Sequence, residues 1–143
     1  TIDLCCGVGA ITIYLSEKVS SIIGIEEIKQ SIDLAKENKL LNQEQKSHFF
    51  VDDMKNFVNY APLEIDTLII DPPRSGLTKK IVKKILDAEP KKIIYMSCNP
   101  KTQKLDLEQF LESKKYKITF FQGWDMFPQT PHLETLAILE LIN

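Results

Sequence analysis

The chain has 143 residues, and its 18 basic and 20 acidic residues give a net charge of −2. Hydrophobic residues make up 43% and charged residues 27%, which is typical of one soluble globular domain and not of a disordered segment. This balance argues against a domain that binds nucleic acid through a basic excess, and no apolar run approaches the roughly 20 residues of a membrane-spanning helix.

The cysteines indicate a reducing environment. Cys5 and Cys6 are adjacent and Cys98 is distant, which is neither a disulfide framework nor a C-x-x-C metal pattern. We therefore expect free thiols, no metal site and a cytoplasmic location. The chain also begins within an apolar run that reads as a buried strand, so we expect it to be part of a longer protein.

Apolar runs rich in β-branched residues alternate with segments of helical period, which predicts an α/β fold with a mainly parallel sheet. The predicted strands are 2–5, 21–25, 47–51, 65–70, 92–97, 117–122 and 134–142. The predicted helices are 10–18, 28–41, 78–88 and 102–113, and the second has apolar residues at roughly helical spacing, among them Ile32, Leu34, Ala35 and Leu40. The loop 123–133 lacks helical character, so we expect the seventh strand to run antiparallel.

The first predicted strand leads through Gly7 and Gly9 into the first helix. Glycines permit a sharp turn and a close approach of the backbone to a ligand. In an open parallel sheet, this turn lies at the carboxyl ends of the strands, where ligands bind. Thr12 stands where a dinucleotide fingerprint has its third glycine, and a tight turn without a ligand is the simpler interpretation of G-x-G alone.

Carboxylates end the second and third predicted strands. Glu26 lies about 17 residues beyond Gly9, where a carboxylate can accept hydrogen bonds from both hydroxyls of a ribose. An acid at the start of a helix is the alternative. Asp52 and Asp53 end the next strand, where one of them is able to contact an adenine amino group. Up to this point, the pattern suits S-adenosylmethionine as well as NAD.

Asp71-Pro72-Pro73-Arg74 follows the fourth predicted strand. Two consecutive prolines fix the backbone and remove two N–H donors. The sequence therefore predicts a rigid ledge beside a carboxylate, suited to holding a planar base next to a sulfonium methyl group.

Cys98 lies between the fifth predicted strand and the helix that we expect to begin near Thr102. A helix N-terminus favours the thiolate, which is the nucleophilic form of cysteine. A buried cysteine that packs as a small hydrophobe is the alternative. Glu134 ends the long loop between the last two strands, and we expect it to act as a general base.

Four segments together resemble the RNA uracil-5-methyltransferase family, which modifies 23S ribosomal RNA and transfer RNA. In chain order they are D-x-x-C-G-x-G, I-I-D-P-P-R-S-G-L, Y-M-S-C-N-P and D-M-F-P-Q-T-P-H-L-E. The resemblance covers essentially the whole chain and implies a seven-stranded class I methyltransferase fold, which is Rossmann-like, as one catalytic domain over residues 1–143. It implies S-adenosylmethionine as cofactor and RNA as substrate, with ribosomal RNA favoured over transfer RNA. It also implies an RNA-binding N-terminal region of the parent protein.

The resemblance assigns roles position by position. Cys98 matches the nucleophile that adds to carbon 6 of uracil, and Glu134 matches the base that removes the proton from carbon 5. The remaining implied positions are cofactor contacts at Cys5, Gly7, Gly9, Glu26, Asp53 and Asp71, and substrate contacts at Pro72, Arg74 and Asn99. Asp52 is able to take the place of Asp53. Cys5 stands where the family generally has an aromatic residue, and Ala10 where a polar residue is common.

Two alternatives remain open at this stage. The first is a class I methyltransferase that acts on a base nitrogen and has no need of Cys98. The second is a Rossmann-type binding domain without chemistry, for which Cys98 and Glu134 are both dispensable.

Overall fold

The computed structural model describes residues 1–126 and 128–142. Phe127, in the predicted loop between the last two strands, and Asn143, the final residue of the predicted domain, lie outside the described residues. Contacts divide the chain into two compact units, Thr1–Leu63 and Glu64–Asn143, called here unit 1 and unit 2. Each is described by itself.

Unit 1 contains three parallel strands in the order β3, β2, β1. Its elements are β1 (Ile2–Leu4), α1 (Ala10–Ser16), β2 (Ile22–Glu26), α2 (Lys29–Leu41), β3 (Ser47–Val51) and a 3₁₀ helix (Met54–Asn59). A parallel pair requires a crossover connection, and the two α-helices supply it. All three strands therefore end at the same edge of the sheet.

One core cluster of unit 1 joins α2 and β3 with the glycine turn, residues 5–9. Ile32, Ala35 and Phe49 form a buried cluster, against which Cys6 and Ile13 pack. The helix predicted from this spacing is confirmed, with Ile32 and Ala35 on its buried side. Leu34 and Leu40 are 49% and 77% exposed, so not every apolar position of the pattern faces the core. Only the narrow stripe of α2 that faces β3 is covered within the described residues, so these two leucines lie on its outer side.

Unit 2 contains four strands in the order β4, β5, β7, β6. Its elements are β4 (Thr67–Ile70), α3 (Lys79–Ala88), β5 (Lys92–Ser97), α4 (Pro100–Glu112), β6 (Tyr116–Trp124) and β7 (Glu134–Leu141). β4 and β5 are parallel, whereas β7 runs antiparallel to both β5 and β6. The N-terminus of β7 therefore lies at the same edge as the C-terminus of β5.

The predicted α/β fold with seven strands and an antiparallel last strand is confirmed. The sequence analysis missed the 3₁₀ helix, assigned Gly123 and Trp124 of β6 to a loop, and placed the start of α4 near Thr102 instead of at Pro100. Proline is compatible with the first turn of a helix, because its missing N–H has no partner there. Across the described part of the chain, every helix is too short or too polar to cross a membrane.

Candidate active site

The glycine turn of unit 1, residues 5–9, contains three residues in the left-handed backbone conformation. Cys5, Gly7 and Gly9 have φ values of 61°, 54° and 81°. A Cβ atom on Gly9 would lie 2.8 Å from the ring of Phe49, so the turn can pack on the core only with glycine there. A Cβ atom on Gly7 would meet no heavy atom within 4 Å. The turn is therefore packed on one side and open at Gly7.

A buried hydrogen bond joins β1 to α1. The Thr12 hydroxyl donates to Asp3 Oδ2 at 2.5 Å, and both residues are fully buried. The sequence analysis noted Thr12 only as the absence of a third glycine and assigned Asp3 no role. The signal was an acid inside an apolar run, since a buried carboxylate needs a partner. This bond fixes the start of α1 against the strand from which the glycine turn begins.

Glu26 ends β2 and is held in place by two backbone groups. Its Oε2 accepts a hydrogen bond from the Gly7 N–H at 3.2 Å, and its Oε1 accepts one from the Ile28 N–H at 3.0 Å. A carboxylate has about four acceptor positions. Two acceptor positions of the Glu26 carboxylate remain available, and the hydrogen bond from the Gly7 N–H in the glycine turn helps to fix their orientation.

Asp52 and Asp53 have distinct surroundings after β3. Asp52 accepts hydrogen bonds at 2.8 Å from Asn56 and from the Tyr60 hydroxyl, and these bonds hold the pKa of its carboxyl below the usual range. Asp53 caps the 3₁₀ helix by accepting from the Lys55 N–H at 2.9 Å, and it forms an ion pair with the Lys55 ammonium. Asp53 has the fewer internal partners, so it remains the better candidate for a ligand contact.

Cys6 is a packing residue. Burial raises the pKa of its thiol far above the usual range, and the nearby charges of Asp3 and Glu26 raise it further. Such a thiol stays protonated and unreactive. Cys5, Cys6 and Cys98 are all free cysteines.

In unit 2, the loop after β4 places Asp71 at the C-terminal edge of the strands. Pro72 is buried, whereas Pro73 and Arg74 are exposed. Pro73 is therefore better placed for a surface contact than Pro72, and the substrate contact expected of Pro72 stays a prediction. The Arg74 carbonyl accepts hydrogen bonds from Asn99 Nδ2 at 2.9 Å and from the Thr102 hydroxyl at 3.2 Å.

Gly76 allows this loop to approach α4. Its φ is +72°, and a Cβ atom there would lie 2.6 Å from Asp106 Oδ2. With glycine in place, the Leu77 N–H donates to the same oxygen at 2.8 Å. The loop is thus fastened to α4 at both ends, through the Arg74 carbonyl and the Leu77 amide.

Cys98 is half-buried between the end of β5 and the start of α4. Asn99 caps the helix, because its Oδ1 accepts from the Lys101 N–H at 3.2 Å while its Nδ2 holds the Arg74 carbonyl. Both ends of the Asn99 amide therefore serve the protein's own structure. Its expected substrate contact stays a prediction, and the structure indicates a role in positioning Cys98.

The antiparallel strand β7 brings Glu134 to Cys98. Ser97 of β5 lies opposite Thr135 of β7 in the ladder. The next residue outward on β5 is Cys98, and the next residue outward on β7 is Glu134. The ladder between β5 and β7 ends with the Ser97–Thr135 pair, so Cys98 and Glu134 both lie directly beyond that pair. The register thus brings these two chain positions to the same edge of unit 2.

Asp71 belongs to the same electrostatic environment. Loss of water around its carboxyl group raises the pKa of Asp71, and the negative charge of Glu134 raises it further. Asp71 is exposed as a whole residue, but its carboxyl group is close enough to Glu134 for that charge to raise its pKa. Three of the predicted residues, Asp71, Cys98 and Glu134, lie at this edge of unit 2.

Beneath this edge lies a buried polar network that the sequence analysis missed. Gln103 of α4 donates to the Tyr95 carbonyl at 3.0 Å and accepts from the Thr135 hydroxyl at 2.8 Å. The Tyr95 hydroxyl donates to Asp106 at 2.6 Å, and burial together with this bond raises the pKa of Tyr95. The network ties together the two strands that carry Cys98 and Glu134.

The predicted site residues fall into two groups. Unit 1 contains Cys5, Gly7, Gly9, Glu26 and Asp53, and unit 2 contains Asp71, Pro72, Arg74, Cys98, Asn99 and Glu134. Within residues 1–126 and 128–142, no three His, Cys, Asp or Glu side chains gather as metal ligands would. A thiol and carboxylates, as in unit 2, are groups suited to nucleophilic and acid–base chemistry, and the turn of unit 1 can present backbone and carboxylate to a ligand.

Comparison with known proteins gives consistent results. Residues 1–142 match the family described as tRNA (Uracil-5-)-methyltransferase. An uncharacterized RNA methyltransferase of Bacteroides thetaiotaomicron is 42% identical over 97% of this chain and 31% of its own length. An uncharacterized RNA methyltransferase of Mycoplasma mobile is 37% identical over 99% of this chain and 39% of its own length. The chain thus spans about a third of the length of these relatives.

Two solved structures are also similar to this chain. The tRNA (uracil-54, C5)-methyltransferase of Pyrococcus abyssi, in complex with S-adenosyl-L-homocysteine, superposes with a TM-score of 0.81 at 32% identity, over 96% of this chain and 33% of its own. An rRNA methylase of Streptococcus thermophilus, at 15% identity, has a TM-score of 0.78 over 99% of this chain and 86% of its own. The second match concerns the fold alone.

Proposed function

Because the chain belongs to the tRNA (Uracil-5-)-methyltransferase family, we propose that it transfers a methyl group from S-adenosylmethionine to carbon 5 of a uridine in RNA. The observation that supports the proposal is the register of β5 and β7, which pairs Ser97 with Thr135, the chain neighbours of Cys98 and Glu134. We also propose that residues 1–143 act as one catalytic domain, in which unit 1 binds the cofactor and unit 2 performs the chemistry.

The residues of unit 1 fit S-adenosylmethionine. Gly7 faces open space, and Glu26 keeps two acceptor positions for the hydroxyls of a ribose. Asp53 is the candidate acceptor for the adenine amino group, and Cys5 and Gly9 shape the turn. When bound, S-adenosylmethionine supplies an electrophilic methyl group on a sulfonium centre.

Uracil needs activation by the protein, because its carbon 5 is too weak a nucleophile to attack a methyl sulfonium unaided. The Cys98 thiolate adds to carbon 6, a C–S bond forms, and the electron pair of the C5–C6 double bond moves onto the carbonyl oxygen at carbon 4 as an enolate. Carbon 5 thereby becomes the nucleophile: its new bond to the methyl group would form as the carbonyl at carbon 4 is restored and the methyl–sulfur bond breaks, with S-adenosylhomocysteine as the leaving group.

Glu134 completes the reaction. After methyl transfer, carbon 5 carries both a methyl group and a proton, and the Glu134 carboxylate removes the proton. The electron pair restores the C5–C6 double bond, the C–S bond to Cys98 breaks, and the thiolate is regenerated. Asp71, whose pKa is raised by its surroundings, lies at the same edge and is a candidate hydrogen-bonding group for the base or the cofactor.

The proposal also concerns which RNA is the substrate. The sequence analysis favours ribosomal RNA, whereas the Pyrococcus abyssi protein named above acts on tRNA. The relatives extend well beyond this chain, so RNA selection by another part of the complete gene product belongs to the proposal too. A cytoplasmic location stays a prediction.

The test is product analysis. The complete gene product is incubated with S-adenosylmethionine labelled in its methyl group and, separately, with unmodified transfer RNA and 23S ribosomal RNA, and the RNA is digested to nucleosides. We expect labelled 5-methyluridine from one of the two RNAs. Label in a nitrogen-methylated base, or no label in either RNA, would contradict the proposal.

A further inference from the structure

A basic stretch follows the Asp71 loop. Residues 72–86 contain five basic residues and no acidic residue, in a chain whose net charge is −2. Within α3, the buried side consists of Ile81, Val82 and Ile85. Lys79, Lys80 and Lys83 are exposed on the other side and are called here the α3 lysine face.

The positions of these lysines are unfavourable for the helix itself. Lys79 and Lys80 lie in the first turn, where the helix dipole disfavours cations, and α3 has no acid in that turn to compensate. Lys79 and Lys83 are spaced i,i+4, as are Lys80 and Lys84, and like charges at this spacing repel each other. Charges that cost helix stability in this way are expected where a function requires them.

Four lysines elsewhere in unit 2 are matched by acids. Those that form ion pairs are Lys91 with Glu64 and Asp66, Lys92 with Glu140, Lys104 with Glu108, and Lys115 with Glu89. Within the described part of the chain, Lys79, Lys80 and Lys83 form no such pair. The α3 lysine face is thus a cluster of exposed positive charges that have no ion-pair partner among the described residues.

The α3 lysine face begins next to the proposed uridine site. The helix starts directly after the loop that carries Asp71 and Arg74, and that loop is bonded to Asn99, the neighbour of Cys98. We propose that the α3 lysine face binds phosphate groups of the RNA strand on one side of the target uridine. The inference rests on the proposed function, because it takes RNA as the substrate.

Salt dependence of binding is the direct test. A fluorescein-labelled oligouridylate of about 20 nucleotides is titrated with the complete gene product between about 50 and 200 mM salt. Each phosphate contact with a single strand contributes about 0.7 to the slope of log affinity against log salt, so the triple variant K79Q/K80Q/K83Q should lose about 2 from that slope. At the lowest salt, we expect its affinity to fall by about tenfold or more.

Two matched variants define the controls. K36Q/K114Q/K117Q removes the same charge from exposed lysines elsewhere and should leave the slope unchanged. K79R/K80R/K83R keeps the charge and should retain the slope. Glutamine has nearly the same helix propensity as lysine, and the removal of repulsion should leave the melting temperature of the glutamine variant equal to or above that of the wild type.

An equal loss in the two glutamine variants, an unchanged slope in K79Q/K80Q/K83Q, or no binding by the wild type at the lowest salt would overturn the inference. A reduced slope together with the absence of 5-methyluridine would retain the phosphate surface and reject the proposed reaction. Formation of 5-methyluridine with an unchanged slope would retain the proposed reaction and reject the phosphate surface.

Discussion

The two units build their candidate ligand groups in different ways. In unit 1, the glycine turn follows a strand of three residues, and its shape comes from left-handed backbone positions and from backbone bonds to Glu26. In unit 2, Cys98 and Glu134 sit above a buried side-chain network centred on Gln103. We therefore propose that unit 1 shapes a surface for a ligand, whereas the network of unit 2 positions Cys98 relative to Glu134.

The largest effect is expected for Glu134→Gln in unit 2. Without the base, the carbon-5 proton is removed slowly, and the methylation rate should fall by about 10²–10⁴-fold. Because Cys98 can still add to uracil, a covalent protein–RNA complex should accumulate on ordinary uridine RNA and be visible on a denaturing gel. A rate close to that of the wild type would remove Glu134 from the mechanism.

A smaller effect of a different kind is expected for Glu26→Gln in unit 1. One charged hydrogen-bond acceptor is worth about 1.5–3 kcal/mol, so the Kd for S-adenosylmethionine measured by calorimetry should rise by roughly tenfold to a hundredfold. At saturating cofactor, kcat should change little. The exposed neighbour supplies the control, because Glu27→Gln should leave the Kd unchanged. Equal losses in both variants would rule out a ribose contact at Glu26.

Substitution of the network below Cys98 tests whether it positions the reactive pair. Gln103→Leu leaves two buried polar groups without this partner and should cost about 1–3 kcal/mol of unfolding free energy. The value of kcat should fall while the Kd for S-adenosylmethionine stays the same. Gln109→Leu on the same helix is the matched control, since the Gln109 side chain donates to the Leu105 carbonyl of its own helix at an exposed site. If only stability changes in Gln103→Leu, the network is structural alone.

The smallest effect concerns stability and pH. The pKa of Asp71 is raised in the folded protein, so the native state binds its proton more tightly than the unfolded state does, and ionisation costs stability as pH rises. Asp71→Asn should therefore melt at a higher temperature than the wild type near pH 7, and the two should converge near pH 3. A lower melting temperature at neutral pH would contradict this electrostatic account.

Strand ends could be predicted from the sequence because their pattern is local. The runs of β3 and β5 were predicted to the residue, and the chemically important side chains were expected where strands end. Parallel topology then brings such ends to one edge. The start of α4 was placed two residues late, because Pro100 was treated as part of the loop rather than as the first residue of the helix.

The buried hydrogen-bond network around Gln103 could not be predicted in the same way. Gln103 bonds to Tyr95 and Thr135, and the latter is 32 residues away along the chain. In the sequence, Gln103 is one more polar residue in an amphipathic helix. Its burial and its partners depend on which strand lies next to β5, and that order is a property of the whole fold. The internal use of Asn99 and Asp53 as helix caps was missed for the related reason that both had been assigned to ligands.

A covalent trap tests the central claim most directly. The complete gene product and its Cys98→Ala variant are incubated with S-adenosylmethionine and RNA in which uridine is replaced by 5-fluorouridine. Fluorine at carbon 5 cannot be removed as a proton, so Glu134 has nothing to abstract and the Cys98 adduct persists. We expect a protein–RNA adduct with the wild type and none with the variant. No adduct on an RNA that the enzyme methylates, or an equal adduct with Cys98→Ala, would contradict Cys98 as the nucleophile and carbon 6 as its target.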